Sequence, residues 1–116
     1  MSGNGIGMVP VKVPKIKTRY RRIKTSIPVP ESLNVFKTLE KYESRSMHGQ
    51  LPVVWDRAVD FRVYDPYGNC WIDFTSTIFV TNTGHANPLV AAELKKTING
   101  KLLHTYTFAS KVRAEF

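Results

Sequence analysis

Val63-Tyr64-Asp65-Pro66-Tyr67-Gly68-Asn69-Cys70-Trp71-Ile72-Asp73-Phe74 is the stretch that decides the architecture. β-Branched and aromatic residues on both sides of Asp65-Pro66-Tyr67-Gly68 favour extended backbone. Between the two runs stand Asp at the first turn position, Pro at the second and Gly at the fourth, the composition of a type I turn. The expectation is a hairpin with one strand ending at Tyr64 and its return spanning Cys70 to Phe74. Val53-Val54-Trp55 and Phe61-Arg62-Val63-Tyr64 read as strands by the same preferences.

Downstream, Thr83-Gly84-His85-Ala86-Asn87-Pro88 is a turn that opens a helix. Asn87 is the cap and Pro88 takes the first helical position, where a missing N–H costs nothing. Val90, Ala91, Leu94 and Ile98 fall on one face. Lys95 and Lys96 suit the negative end of the helix dipole, and Asn99-Gly100 reads as a left-handed stop. Another helix starts near Ser110, and a natural terminus is not expected just after a helix begins, so the chain reads as incomplete.

Upstream, Val35, Leu39 and Tyr42, with Phe36 beside them, recur at the spacing of one helix face over about Ser32–Arg45. Ser32 is the expected N-cap. Residues 1–30 form a basic, proline-containing arm. Pro10, Pro14, Pro28 and Pro30 deny it a continuous helix and favour extended backbone, so a flexible arm is expected. Gly3-Asn4-Gly5-Ile6-Gly7 has no lysine at the spacing of a phosphate loop and no preceding strand, and reads as a flexible tail.

The 116 residues allow one domain at most, and 42% apolar content is compatible with a modest core. The net charge of +8 belongs to the arm: Lys12, Lys15, Lys17, Arg19, Arg21, Arg22 and Lys24 have no acid among them, whereas the remainder is nearly neutral. No apolar run approaches the ~20 residues that span a bilayer, and no secretory leader is evident. Cys70, the lone cysteine, forbids an internal disulfide and fits a reducing cytoplasm. His48, His85 and His104 are too dispersed for a zinc motif.

The hairpin with Asp65, Gly68, Asn69, Asp73 and Phe74, then Gly84-His85-x-x-Pro88, then Leu103-His104-Thr105, resembles in order and spacing the N-terminal region of class III pyridoxal-phosphate aminotransferases. That group contains the ornithine, acetylornithine and 4-aminobutyrate enzymes. The resemblance covers roughly residues 52–116. It implies an α+β segment of a fold type I enzyme, with a small three-stranded antiparallel sheet leading into a large cofactor domain over residues 31–116.

It also implies a homodimer, pyridoxal 5'-phosphate, and transfer of an amino group between an amine or amino acid and a keto acid. The cofactor in such enzymes is held as a Schiff base on a lysine and acts as an electron sink. None of the lysines here matches that motif, so no catalytic residue is assigned and the segment alone is expected to be inactive.

The resemblance further implies that Thr75-Ser76-Thr77-Ile78-Phe79-Val80 lies near the substrate or the partner subunit. Thr77, Ile78, Phe79 and Thr105 are the resulting candidates for the pocket or dimer interface. Many family members have small residues where Thr75-Ser76-Thr77 stands, and some have an aromatic at the position of Ile78. An aliphatic there suggests an apolar wall, and core packing is an equal alternative for Ile78 and Phe79. Gly68, Asp73, Gly84, His85 and Pro88 are assigned structural roles, with His85 a hydrogen-bonder that shapes the turn.

The basic arm leaves a second reading open. Lys15 to Lys24 interleaves cations with Tyr20, as in small nucleic-acid-binding proteins, although no nucleic-acid fold follows. A leader packed across a dimer surface is preferred, and an organellar transit peptide is disfavoured by its prolines and few serines.

Overall fold

A computed structural model describes residues 8–47, 51–102, 104 and 107–115. In chain order the elements are β1 (Ile16–Lys17), β2 (Arg22–Ile23), a 3-10 turn at Pro30–Ser32, α1 (Leu33–Tyr42) and a second 3-10 turn at Arg45–Met47. Then come β3 (Arg57–Val59), β4 (Arg62–Tyr64), β5 (Cys70–Ile72), the single turn α2 (Ser76–Phe79), α3 (Pro88–Asn99) and α4 (Lys111–Glu115). The chain divides into two compact units, Met1–His85 and Ala86–Phe116.

The first unit is built on a five-stranded antiparallel sheet of order β1-β2-β5-β4-β3. The expected hairpin is its centre, with Tyr64 opposite Cys70, Val63 opposite Trp71 and Arg62 opposite Ile72. Gly68 has φ +90°, a backbone that residues with a Cβ adopt only with strain. Asp65 closes the loop by accepting from the Tyr67 and Asn69 amides at 3.0 and 2.9 Å.

Four expectations are corrected. The described part of the arm is extended, and it pairs with the sheet. β1 pairs with β2, and Arg22 of β2 pairs with Cys70 of β5, so the sheet has five strands rather than three; Val11 and Ile27 form a further bridge. Sequence reading misses this because Arg22 and Cys70 lie more than 40 residues apart and the arm's charge conceals buried residues such as Ile23, 2% exposed.

The strand expected at Val53–Trp55 lies instead at Arg57–Val59. Val53 donates its N–H to Leu51 at 2.7 Å, leaving the sheet ladder to begin where the Asp56 amide reaches Tyr64. A two-residue loop, Asp60-Phe61, sets the β3–β4 register. Asp60 has φ +53°, which aspartate tolerates better than most residues.

Ser32 does not cap α1 with its side chain. It is buried in the 3-10 turn, and its hydroxyl donates to the Val29 carbonyl at 2.7 Å. Pro30 starts that turn ahead of α1 and so moves Ser32 inside helical backbone.

The buried apolar side chains of the sheet and arm are Ile23, Val29, Val63 and Cys70. Ile23 and Val63 are nearly solvent-free, and burying each side chain contributes roughly 1.5–3 kcal/mol. α1 has the expected amphipathic pattern, but none of its residues is buried; Val35 and Leu39 are each 39% exposed.

In the second unit, Asn87 caps α3 as expected, its side chain accepting from the Leu89 and Val90 amides at 3.0 and 3.3 Å. The stop differs. Gly100 has φ −72°, and Lys101, at φ +58°, takes the left-handed position instead. The helical bonds extend one residue further: the Gly100 amide donates to Lys96 and the Lys101 amide to Ile98. α4 begins beside Ser110 as expected, its hydroxyl accepting from the Arg113 amide at 3.3 Å.

Candidate functional site

Asp73 leaves the end of β5 and meets the turn that carries His85. Its Oδ1 accepts from both the Thr75 amide and the Thr75 hydroxyl at 2.8 Å. Its Oδ2 accepts from the Thr77 amide at 3.1 Å and lies 2.8 Å from His85 Nε2. Only 4% of the Asp73 side chain is exposed. Burial by itself pushes the carboxyl up, but the bonds from His85, Thr75 and Thr77 outweigh it and hold the group at about 2, below its ordinary 3.8. An ionised carboxylate only accepts, so His85 Nε2 carries the hydrogen in this pair.

His85 is fixed from three sides. Its backbone exchanges two hydrogen bonds with Asp60, at 2.7 and 2.9 Å. The Trp55 ring meets its imidazole edge to face, 5.6 Å between centroids. Gly84 precedes it with φ +84°, and a Cβ there would stand 3.4 Å from Asp60 Cα. Glycine is thus favoured by conformation, with the β3–β4 loop at van der Waals distance.

Between Asp73 and His85 runs α2, and its hand is unusual. Ser76, Thr77, Ile78 and Phe79 have φ of 50°, 54°, 57° and 67°. The Phe79 and Val80 amides still close helical bonds to Thr75 and Ser76 at 2.9 and 2.8 Å, so this is one turn of left-handed helix. Such backbone costs an L-residue about 1–2 kcal/mol, and Thr77 and Ile78 are β-branched. Ile78 and Phe79 are 78% and 80% exposed. A shallow cleft of about 300 Å³ lies beside the turn, lined by residues that include Asp60, Asp73, Ser76, Asn82 and His85.

A second polar network ties the arm to the hairpin. Asn69, with no exposed surface, accepts from the Lys24 amide at 2.7 Å. It donates to Thr25 Oγ1 at 2.8 Å and to Asp65 Oδ2 at 2.6 Å. The Arg22 guanidinium donates to the Gly68 carbonyl at 2.8 Å, and the Cys70 thiol to the Tyr20 carbonyl at 3.4 Å.

Of the residues selected from sequence, Asp73, Gly84 and His85 converge with Thr77, Ile78 and Phe79. Gly68 is in the same unit, at the hairpin tip. Pro88 belongs to the second unit, at the start of α3. Thr105 lies outside the described residues, as do Leu103, His48 and the Gly3–Gly7 stretch. His104 is exposed.

Sequence reasoning missed Trp55 and Asp60 as supports of His85. Asp60 carried a usable signal, an aspartate between two extended runs. For Trp55 there was none, since only the folded sheet brings it to His85.

Among the described residues no group of three or more His, Cys, Asp or Glu is placed to hold a metal ion, and no helix is long and apolar enough to cross a membrane. No family model matches the chain.

Its sequence is nevertheless similar to several characterised enzymes. Ornithine aminotransferase of Saccharomyces cerevisiae is 33% identical over 76 residues, 66% of this chain and 18% of that protein. Acetylornithine aminotransferase of Methanocaldococcus jannaschii is 39% identical over 67 residues, covering 58% and 17%. 5-Aminovalerate aminotransferase of Pseudomonas aeruginosa is 47% identical over 58 residues, covering 49% and 13%. The chain therefore spans less than a fifth of the length of these curated relatives. Over that part of their length its homologues are the ornithine, acetylornithine and aminobutyrate aminotransferases, enzymes of the class III pyridoxal-phosphate group, as the motif order implied.

Proposed function

We propose that this chain is the N-terminal segment of a fold type I, class III aminotransferase that moves an amino group between an amine or amino acid and a keto acid. The observation that carries the reading is its identity to such enzymes, up to 47% over 58 residues. The small antiparallel sheet followed by helices is compatible with that origin. The parent is a homodimer using pyridoxal 5'-phosphate, and cytoplasmic, a setting the single buried Cys70 supports.

The cleft beside α2 does not itself fit the cofactor. Pyridoxal phosphate needs a lysine for its aldehyde and cations or clustered amides for its phosphate. The cleft beside α2 is lined by no lysine or arginine. No step through the cofactor is assigned to this segment. Its contribution is a wall: Thr77, Ile78 and Phe79 on the left-handed turn border the substrate or the partner subunit, with Thr105 further along the chain. The exposure of Ile78 and Phe79 supports that placement over core packing. Nucleic-acid binding is not favoured, because the homologues are aminotransferases and Arg22 is spent on the Gly68 carbonyl.

The test is to isolate the polypeptide carrying Trp55–Phe116 from its source and supply pyridoxal phosphate. Amino transfer to 2-oxoglutarate is then assayed from ornithine, N-acetylornithine, 5-aminovalerate and 4-aminobutyrate. Transfer from at least one donor is expected. A polypeptide that takes up no cofactor and transfers from none of them would overturn the reading.

A further inference from the structure

The four left-handed residues of α2 pose a physical question, since three of them, Thr77, Ile78 and Phe79, are exposed and only Ser76 is half-buried. Backbone of that kind persists only where its surroundings over-determine it. Packing does not do so here, with Ile78 and Phe79 mostly in solvent. What enters the turn from outside is the Asp73 carboxylate, which accepts from Thr75 twice and from Thr77 once. The carboxylate is itself held by His85, and His85 by Asp60 and Trp55. The turn is thus tied to the sheet through Asp73, whose backbone is held by the Phe61 carbonyl at 2.9 Å and whose carboxylate is held by His85 Nε2 at 2.8 Å.

We propose that Asp73 and His85 are joint positioning residues that hold the Ser76–Phe79 turn left-handed and so aim Ile78 and Phe79 at the carbon chain of the amino donor. The proposal rests on the aminotransferase reading for what the turn faces, but not for how the turn is held. Neither residue touches the reacting atoms. Both act through the backbone of residues 75–79.

The two parts are tested separately with Asp73→Asn, His85→Gln and His85→Phe. Glutamine retains an N–H to donate, whereas phenylalanine keeps a ring against Trp55 and loses the donor. In the full chain, hydrogen exchange at the Thr75 and Thr77 amides is measured. Exchange is expected to accelerate roughly tenfold or more in Asp73→Asn and His85→Phe and to stay near wild type in His85→Gln. In the complete aminotransferase, the first two variants raise KM for the amino donor roughly tenfold while kcat and the cofactor absorption band hold, the pattern of lost ground-state positioning.

Unchanged exchange in Asp73→Asn overturns the clamp, as does His85→Gln behaving like His85→Phe. Faster exchange with an unaltered KM overturns the aiming of Ile78 and Phe79. Loss of kcat together with the cofactor band would show a general structural role and also overturn it. If the wild-type polypeptide transfers no amino group, the aminotransferase reading fails instead, and the exchange data still decide the clamp.

Discussion

A carboxylate accepting four hydrogen bonds behaves differently from one in water, and Asp73 makes this testable by pH. Its folded value of about 2 lies below the ordinary 3.8, so the unfolded chain takes up the proton first as acid is added. The stabilisation is therefore complete above 3.8 and is lost as pH falls through about 2. Acid titration followed by near-ultraviolet circular dichroism should show this limb, and Asp73→Asn should flatten it. Gly84 offers a second residue-scale outcome. At φ +84° and with Asp60 Cα 3.4 Å from any added Cβ, Gly84→Ala should cost about 1–3 kcal/mol in denaturant unfolding. Gly68→Ala should cost a similar amount, because its φ of +90° is equally strained although its Cβ would meet only the flexible Lys24 side chain at 3.7 Å.

At the level of elements, the junction between β2 and β5 depends on Asn69. Removing its side chain leaves the Lys24 amide and Asp65 Oδ2 short of partners, and each unsatisfied buried group costs about 1–3 kcal/mol. Asn69→Ala should therefore release the arm before it disturbs the hairpin. The measurement is the rate at which a thiol reagent modifies Cys70, which is buried and covered by the Tyr20 backbone. Labelling should be slow in the wild-type chain and much faster in the variant, with tryptic cleavage among Lys15, Lys17, Arg21 and Lys24 rising in parallel. Equal labelling rates would show that the short strands, not the Asn69 network, hold the arm.

The molecule as a whole exposes more apolar surface than its small core explains. Phe74, Ile78, Phe79 and Val80 follow one another out of the sheet, all largely solvent-exposed, and Leu94 and Ile98 leave the apolar face of α3 open. In each unit, large apolar side chains left open in this way mark a place where another protein surface belongs. The chain alone should bind a hydrophobic dye strongly and self-associate with concentration in sedimentation. The same residues within a complete aminotransferase should show neither behaviour. Absence of dye binding by the isolated chain would mean that its apolar residues are covered in solution.

Local chemistry was enough to place the central hairpin, the Asn87-Pro88 start of α3, the amphipathic pattern of α1 and the order of motifs shared with the aminotransferases. Each depends on neighbours within a few residues, or on a spacing that survives in a linear string. Other features depend on distant contacts: the arm's pairing with β5, the shift of β3 to Arg57–Val59, and the support of His85 by Trp55 and Asp60. The left-handed hand of α2 depends on both, because Thr77 and Ile78 disfavour that conformation and the opposing hydrogen bonds run to Asp73, a near neighbour in sequence that His85 and Phe61 hold in place. Sequence determined which segments could pair, turn or coil; tertiary structure decided which partners they met, because burial and hydrogen-bond satisfaction are settled between residues far apart in the chain.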